Sequence, residues 1–245
     1  MLCRDVFAAA RVAEEIARQA PHTRPEYHYC DLSRLQSVRD CARRIRDHHD
    51  KPVLLINNAG IASLRDQRTA TGMDLNFAVN HLGHFLLTES LSDVLAPDAR
   101  IIIVASRAHY RGVLDLDAIA DRRERIRPTH SYARSKLANV LYCLALARRL
   151  APRGISVNCL HPGLVATNLL PAWLLRIRQA LGSTVLSVDR GAATTLHLAL
   201  EPGVAGLSGC YFDEFQQPQS PAPLALDIDL QEALWRRSLH WISAG

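Results

Sequence analysis

The sequence contains no apolar run of about 18 residues, the length that a membrane-spanning helix requires. Its first residues, Met-Leu-Cys-Arg-Asp, also lack the apolar centre of a secretory signal peptide. Internal repeats and low-complexity tracts are absent as well. These absences favour one globular domain over 1–245. Its C-terminal extension, 216–245, begins with an extended Gln- and Pro-rich segment and includes a packing helix at 227–242.

Cysteine is present, but never as a C-x-x-C pair, and several of the cysteines stand in apolar runs typical of small buried side chains. This pattern argues against a disulfide framework and a zinc site, and it suits a reducing compartment. The histidines at 48–49, 81 and 84 have no matching cluster of ligands elsewhere in the sequence, so we expect no metal site. The cysteines are Cys3, Cys30, Cys41, Cys143, Cys159 and Cys210.

Lysine is scarce, and most of the formal net charge of +5 comes from arginines spread along predicted helices. Such a distribution indicates solvated helix faces rather than a nucleic-acid patch, and no DNA- or RNA-binding motif is present. We therefore expect no nucleic-acid partner, although the positive surplus can help to attract an anionic ligand.

Hydrophobic periodicity predicts helices and strands in alternation along the chain. Asp5 and Ser33 are the expected N-caps of the first two helices, and Gly154 is expected to end the helix that begins near 130. Strands that are separated by whole helices must pair in parallel through right-handed crossovers. The sequence therefore predicts a single-domain α/β fold with a doubly wound, Rossmann-like parallel sheet. The predicted helices span 6–20, 34–49, 72–95, 130–150 and 188–200, and the strands 27–31, 53–56, 100–105, 155–160 and 209–212.

Ligands of such sheets bind beyond the carboxyl ends of the strands. Small or polar residues follow four predicted strands, at 31–32, 57–60, 106 and 161–167. Turn residues are common at any strand end, so composition alone does not make these a site. Their coincidence with Tyr132 and Lys136, which lie one turn apart on a single helix face, favours chemistry. A nearby ammonium is expected to lower the pKa of the tyrosine and make it a usable acid or base, although such a pair also arises by chance on exposed helices.

Six motifs in this order resemble the short-chain dehydrogenase/reductase family over residues 2–215. The runs N-H-L-G-H-F-L-L-T, S-K-L-A-N-V-L and H-P-G are most similar to its retinol-dehydrogenase-like branch. The matching positions are Asp31-Leu32, Asn57-Asn58-Ala59-Gly60, 80–85, Ser106, Tyr132 with Lys136, and 161–167.

The resemblance implies four catalytic residues. Tyr132 would be the proton donor or acceptor, and Ser106 would hydrogen-bond the substrate oxygen. Lys136 would lower the pKa of Tyr132 and hold the nicotinamide ribose, while Asn80 would hold a water that connects Lys136 to solvent. The hydride chemistry would belong to a nicotinamide cofactor.

The resemblance also implies a cofactor site along the strand ends. Asp31 would receive the adenine amino group, with Leu32 packed nearby, and the small residues at 58–60 would pass close to the adenosine ribose. Arg4 matches a position that holds a 2′-phosphate, which favours NADP over NAD, although Arg4 can equally be an ordinary terminal arginine. The implied cofactor-binding residues are Arg4, Asp31, Leu32, Asn58, Ala59, Gly60, Tyr132, Lys136, Pro162, Gly163, Val165 and Thr167.

The chain departs from the family in one respect, because it contains no Thr-Gly-x-x-x-Gly-x-Gly loop to hold a pyrophosphate. We interpret it as N-terminally truncated: Met1 to Asp5 resemble the end of the second strand, so the central first strand and the phosphate loop are missing. The strand at 53–57 is then expected to expose an apolar edge. The strand at 27–31 is expected to lose its neighbours or to pair directly with 53–57. We expect cofactor binding to be weakened.

The segment 168–182 is apolar with arginines on one side, and three interpretations remain open. It fits a lid over a hydrophobic alcohol or carbonyl substrate such as a retinoid, steroid or lipid. It also fits an ordinary packing helix, or a contact with a membrane surface. The expected location is the cytoplasm or the cytosolic face of an intracellular membrane.

Two further expectations compete with the enzyme hypothesis. The chain can be a catalytically silent or weakly active form that dimerises through 72–95 and 130–150, the helices the family uses for self-association. Alternatively, the functional chain extends upstream of Met1.

Overall fold

The computed structural model describes residues 1–48, 51–63, 65–120, 125, 127–166, 176, 179–180, 182 and 184–244. Its main sheet has five strands in the order β3-β4-β5-β8-β9, parallel except for the last. This confirms the predicted α/β fold with a mostly parallel central sheet. The strands are β1 Leu2–Cys3, β2 His28–Tyr29, β3 Leu54–Asn57, β4 Arg100–Val104, β5 Ser156–Leu160, β6 Leu164–Val165, β7 Val185–Leu186, β8 Tyr211–Phe212 and β9 Pro218–Gln219.

The helices agree with the predicted spans to within a few residues. They are α1 Val6–Gln19, α2 Leu35–His48, α3 Leu75–Phe77, α4 Gly83–Leu91, α5 Pro128–Leu150, α6 Val188–Leu200 and α7 Ile228–Ser243. A π-helical turn, Ala78–Leu82, joins α3 to α4, so one helix runs through the predicted span 72–95. Helical periodicity predicts this helix but not the π turn, which inserts one extra residue per hydrogen-bonded ring.

The helix ends confirm one predicted cap and correct another. Asp5 caps α1 as predicted, because its Oδ1 accepts the N–H of Ala8 at 2.9 Å. The predicted cap at Ser33 is wrong: its hydroxyl instead donates to Asp31 Oδ1 at 2.7 Å. The helix α5 ends at Leu150, and a 3-10 turn then leads to Gly154, whose φ of +70° places it in the left-handed region.

Strands β4 and β5 form the buried centre of the molecule, and neighbouring side chains along β4 point to opposite faces of the sheet. Ile101 and Ile103 pack toward α5, whereas Ile102 and Val104 pack toward α6. Because both faces are covered by helices, the apolar run of β4 is buried on both sides.

The sheet is split where the sequence analysis expects a missing strand. β3 pairs only with β4 among the described residues, and Val53 and Ile56 are 69% and 38% exposed, which confirms the open apolar edge. The expectation for the strand at 27–31 is wrong. That strand does not pair with β3, nor does it lose every neighbour, since His28 and Tyr29 pair in parallel with Leu2 and Cys3. The strand β1 at the start of the chain therefore serves as the neighbour of β2, while the edge of β3 stays open.

The helix α7 packs across α4 and α5, as expected for the predicted helix at 227–242. Trp235 lies 5.2 Å from Phe85 and 5.5 Å from Tyr142 between ring centroids, and the Arg149 guanidinium lies 4.0 Å above it. Part of the surface predicted to support dimerisation is therefore covered within the chain. None of the helices in the described residues is both long and apolar enough to span a bilayer.

Candidate active site

A cavity of about 490 Å³ lies between the small β1–β2 sheet and β3. Its walls are mainly apolar, with Leu2, Leu54, Leu55 and Leu87 among them. Polar groups converge at the carboxyl ends of the strands, as expected for an α/β sheet. Six of the predicted cofactor-binding residues line this cavity: Arg4, Asp31, Leu32, Asn58, Ala59 and Gly60.

The Asp31 carboxylate is oriented by the turn that follows β2. Its Oδ1 accepts both the N–H of Ser33, at 3.0 Å, and the Ser33 hydroxyl. Its own N–H donates to Ser37 Oγ at 2.9 Å. These bonds hold one carboxylate oxygen in place at the rim of the cavity.

Asn57 also lines this cavity, and its side chain has one unsatisfied acceptor. Its Nδ2 donates to Thr88 Oγ1 at 2.8 Å, while its Oδ1 is buried and has no hydrogen-bond partner within the described part of the chain. A buried polar atom without a partner is unfavourable unless a ligand or water satisfies it. Asn57, to which the motif at 57–60 assigns no role, is therefore a further candidate for ligand contact.

Lys136 joins the helix α5 to the end of β4. Its Nζ donates to the carbonyl oxygen of Val104 at 2.8 Å, and it lies 5.9 Å from the centroid of the Tyr132 ring. The side chain is only 4% exposed, and burial lowers its pKa to about 8. Burial thus disfavours the ammonium form relative to water, although it still predominates at pH 7, and a ligand that supplies further acceptors would favour it more.

The predicted lowering of the Tyr132 pKa is wrong. Burial raises the pKa of Tyr132, and a hydrogen bond with Ser106 acts in the opposite direction without cancelling it. The Lys136 ammonium donates its hydrogen bond to the Val104 carbonyl and not to the Tyr132 hydroxyl. The tyrosine therefore keeps its proton at neutral pH.

Ser106 is placed by a short 3-10 turn after β4. Its Oγ accepts the N–H of Ala108 at 3.2 Å, and its carbonyl accepts Nδ1–H of His109 at 2.8 Å. His109 is fully buried, and its Nε2 accepts the N–H of Ala222 at 3.1 Å. The sequence analysis does not identify His109, because its partner at 222 is too distant in sequence to leave a local signal.

Asn80 lies in the π-helical turn, and its side chain is occupied by protein groups. Its amide exchanges hydrogen bonds with both the N–H and the carbonyl of Ile61, at 2.8 and 2.9 Å. It also donates to Ser135 Oγ at 2.9 Å, and this hydroxyl in turn donates to the carbonyl of Tyr132 at 2.8 Å. Asn80 therefore fixes the loop after β3 against α5. Its role in holding a water stays a prediction.

Gly60 lies between the cavity and the helix α5 that carries Lys136. A Cβ at this position would lie 3.3 Å from Asn80 Oδ1 and 3.4 Å from Lys136 Nζ. The backbone at Gly60 thus approaches both side chains closely, which brings the end of the cavity next to Lys136.

A second buried network fixes the start of the Tyr132 turn. Ser131 donates to Asp74 Oδ1 at 2.8 Å and accepts Asn76 Nδ2 at 2.7 Å. Asn76 Oδ1 accepts the N–H of Ser63 at 2.9 Å. The network ties α3, α5 and the loop after β3 together one residue before Tyr132.

The predicted nicotinamide-side residues lie in the turn after β5. Gly163 has a φ of +78°, and Val165 belongs to β6, which pairs in parallel with β7. Pro162 precedes this glycine at the carboxyl end of β5. Thr167 and most of the predicted lid at 168–182 lie outside the described residues.

The predicted cofactor-binding residues in the described part of the chain thus form two groups, one along the cavity and one in the turn after β5. The open Asn57 Oδ1 and the close approach at Gly60 are the features of a ligand-binding cradle. The sequence nevertheless holds no glycine-rich loop for a pyrophosphate. Across the described part of the chain, no group of three or more His, Cys, Asp or Glu side chains could hold a metal ion.

Comparison with known proteins identifies relatives over nearly the whole chain. The profile of the short chain dehydrogenase family matches residues 1–175. Retinol dehydrogenase 13 of Homo sapiens is 35% identical over 99% of this chain and 76% of its own length. Retinol dehydrogenase 12 of Homo sapiens is 34% identical over 96% of this chain and 75% of its own length.

Solved structures agree with the sequence comparison. An uncharacterized protein from Mycobacterium paratuberculosis superposes with a TM-score of 0.78 at 30% identity, covering 99% of this chain and 83% of that chain. A short chain dehydrogenase from Burkholderia cenocepacia in complex with NADP superposes with a TM-score of 0.66 at 26% identity, covering 84% and 80%. The chain therefore belongs to the short-chain dehydrogenase family of oxidoreductases, in its retinol-dehydrogenase-like branch.

Proposed function

We propose that the protein is an NADP-dependent oxidoreductase that interconverts an alcohol and a carbonyl on a hydrophobic substrate, of retinoid, steroid or lipid type. The observation that carries this proposal is the grouping of Ser106, Tyr132 and Lys136 at the end of β4, next to Gly60 at one end of the cavity. A nicotinamide cofactor, when bound, supplies or accepts the hydride.

In this proposal Tyr132 donates its proton to the substrate oxygen during reduction and takes it back during oxidation. Its raised pKa keeps it protonated at neutral pH, so the proton is present for donation, although the same shift makes the phenol a weaker acid. The hydroxyl of Ser106 stabilises the charge that develops on the same oxygen. The buried Lys136 favours any ligand that offers acceptors to its Nζ, such as ribose hydroxyls.

The choice of NADP rests on Arg4, which lines the cavity near Asp31. A guanidinium can bind a 2′-phosphate with paired hydrogen bonds. The hydrophobic substrate rests on the relatives, which are retinol dehydrogenases. We also propose that the protein is located in the cytoplasm or at the cytosolic face of an intracellular membrane. In the latter case, the segment 168–182 would contact the membrane.

A catalytically silent protein is the second candidate. It is favoured by the absence of the glycine-rich loop and by the open edge of β3. Such a protein would keep the fold and act as a dimerisation or regulatory partner.

Replacement of Tyr132 by Phe tests the proposed chemistry. We expect the NADPH-dependent reduction of retinal, a steroid ketone or a long-chain aldehyde to fall by roughly 10²- to 10⁴-fold in kcat, because the proton donor is lost. Tyr29→Phe is the matched control, since that phenol is 42% exposed on β2. An unchanged rate in Tyr132→Phe would exclude the assigned role. No reduction by the wild-type chain at saturating NADPH would favour the silent protein.

A further inference from the structure

A histidine and a glutamate that play no part in the proposed chemistry hold the turn between β5 and β6. His161 directly follows β5, and Glu214 lies two residues beyond β8. His161 Nε2 and Glu214 Oε2 are 3.0 Å apart, and the two side chains are 6% and 17% exposed. The other ring nitrogen, Nδ1, accepts the N–H of Gly163 at 3.2 Å.

These contacts determine where His161 carries its proton. The backbone N–H of Gly163 is a donor, so the Nδ1 that it faces must be unprotonated. A neutral imidazole then carries its hydrogen on Nε2, where it donates to the Glu214 carboxylate. Both ring nitrogens are therefore satisfied by one neutral tautomer, and each bond favours the other.

Glu214 also contacts the turn through its aliphatic stem. Gly163 has a φ of +78°, and a Cβ there would lie 2.8 Å from Leu186 Cδ1 and 3.3 Å from Glu214 Cβ. The Glu214 stem thus packs against the glycine while its carboxylate holds the histidine. The backbone adds a third link, because the N–H of His161 donates to the carbonyl of Phe212 at 3.0 Å.

We propose that the His161–Glu214 pair positions the turn of Pro162 and Gly163 and thereby aligns the nicotinamide end of the cofactor. This inference rests on the proposed function, because it assumes that the turn contacts the nicotinamide. His161 and Glu214 are positioning residues, since they act through the backbone of the turn and touch neither reacting group.

The alignment depends on the neutral form of His161. Protonation at Nδ1 would replace the acceptor of the Gly163 N–H with a second donor. Burial lowers the pKa of His161, outweighing the opposite effect of Glu214, so the ring is neutral at pH 7 and the turn is released only in acid. The titratable or charged groups that face the ring are Glu214, Asp213, Arg107, His109 and Tyr211.

Two ligands separate a positioning role from a general structural one. NADP⁺ spans both ends of the site, whereas adenosine 2′,5′-bisphosphate occupies only the adenine end. We would titrate each into ¹⁵N-labelled full-length chain at millimolar concentrations and record its dissociation constant. The nitrogen shifts of the His161 ring report the tautomer without any ligand.

A graded series of variants provides the comparison. His161→Asn keeps an acceptor for the Gly163 N–H, as in an Asx turn, but cannot reach Glu214, whereas His161→Phe loses both bonds. Glu214→Gln keeps the stem and an acceptor, whereas Glu214→Ala loses both. His240→Gln is the control, because that histidine is exposed on α7.

We expect His161→Phe and Glu214→Ala to weaken NADP⁺ binding by about tenfold or more and to leave the adenine-end ligand within twofold, because misplacement by a fraction of an ångström carries a penalty of this order. The NADP⁺ affinity of His161→Asn should lie between the affinities of these two variants and that of wild type. The affinity of Glu214→Gln should be close to that of wild type. In wild type, NADP⁺ affinity should fall as the pH drops through the titration of His161, whereas His161→Asn should show no such step.

Three results would overturn the inference: equal loss of affinity for both ligands, no loss for either, or a His161 ring protonated on Nδ1 at pH 7. If the wild-type chain binds NADP⁺ but reduces no carbonyl, the proposed activity fails while the variant series still decides the positioning role. If the wild-type chain binds no NADP⁺ at all, both fail.

Discussion

Burial decides the electrostatics of Tyr132 and Lys136. The sequence places a phenol and an ammonium on one helix face, which predicts a lowered tyrosine pKa. In the folded chain the ammonium is directed at the Val104 carbonyl, and loss of solvent dominates both groups. Sequence spacing predicts that two groups are close, but it cannot predict how much water surrounds them.

Lys136 should impose a pH dependence on stability. Its folded pKa of about 8 lies below its ordinary value of 10.5, so the unfolded chain binds more protons between these values. The free energy of unfolding should therefore gain a contribution that rises with pH from about 8 to 10.5, reaching roughly 3 kcal/mol. Urea unfolding of wild type and Lys136→Met across this range would measure it.

In that experiment Lys51→Met is the control, because Lys51 is exposed and is the only other lysine in the chain. The variant Lys136→Met should lack the rise, and Lys51→Met should retain it. Parallel curves for wild type and Lys136→Met would show that Lys136 does not carry the depressed pKa.

Among the secondary-structure elements, α6 and β6 pack especially closely at Gly191. A Cβ at Gly191 in α6 would lie 2.5 and 2.7 Å from the two γ-carbons of Val165. Helical periodicity predicts α6 correctly but gives no reason for a glycine in its first turn. The reason for the glycine is tertiary: Val165 of β6, which is distant in sequence, packs directly on the helix at this position.

Replacement of Gly191 by Ala should push β6 away from α6. We expect the free energy of unfolding to fall by about 1–3 kcal/mol, which lowers Tm by several degrees in a chain of this size. Differential scanning calorimetry would measure the change. Gly206→Ala is the matched control, since no atom lies within 4 Å of a Cβ there. Equal Tm values for the two variants would contradict the close packing.

At the scale of the whole molecule, the split sheet leaves the strand-end cavity without a phosphate loop. In the proposed function, residues are assigned to the adenine and nicotinamide ends, but the sequence provides no glycine-rich turn for the pyrophosphate. We therefore predict that this chain binds NADPH more weakly than micromolar. Isothermal titration calorimetry would test this, and micromolar affinity would contradict it. Dimerisation through the faces of α4 and α5 that α7 leaves uncovered stays a prediction.

The sequence by itself determined the order of the main helices and strands, the mostly parallel sheet and the positions of the predicted site residues along the chain, but not the short strands β6, β7 and β9. These features follow from local periodicity, cap residues and motif spacing, which depend mainly on residues close together in sequence. Only the tertiary structure decided the pairing of β1 with β2, the raised pKa of Tyr132, and the bonds from His109 to Ala222 and from His161 to Glu214. These depend on burial and on partners far apart in sequence, for which local patterns carry no information.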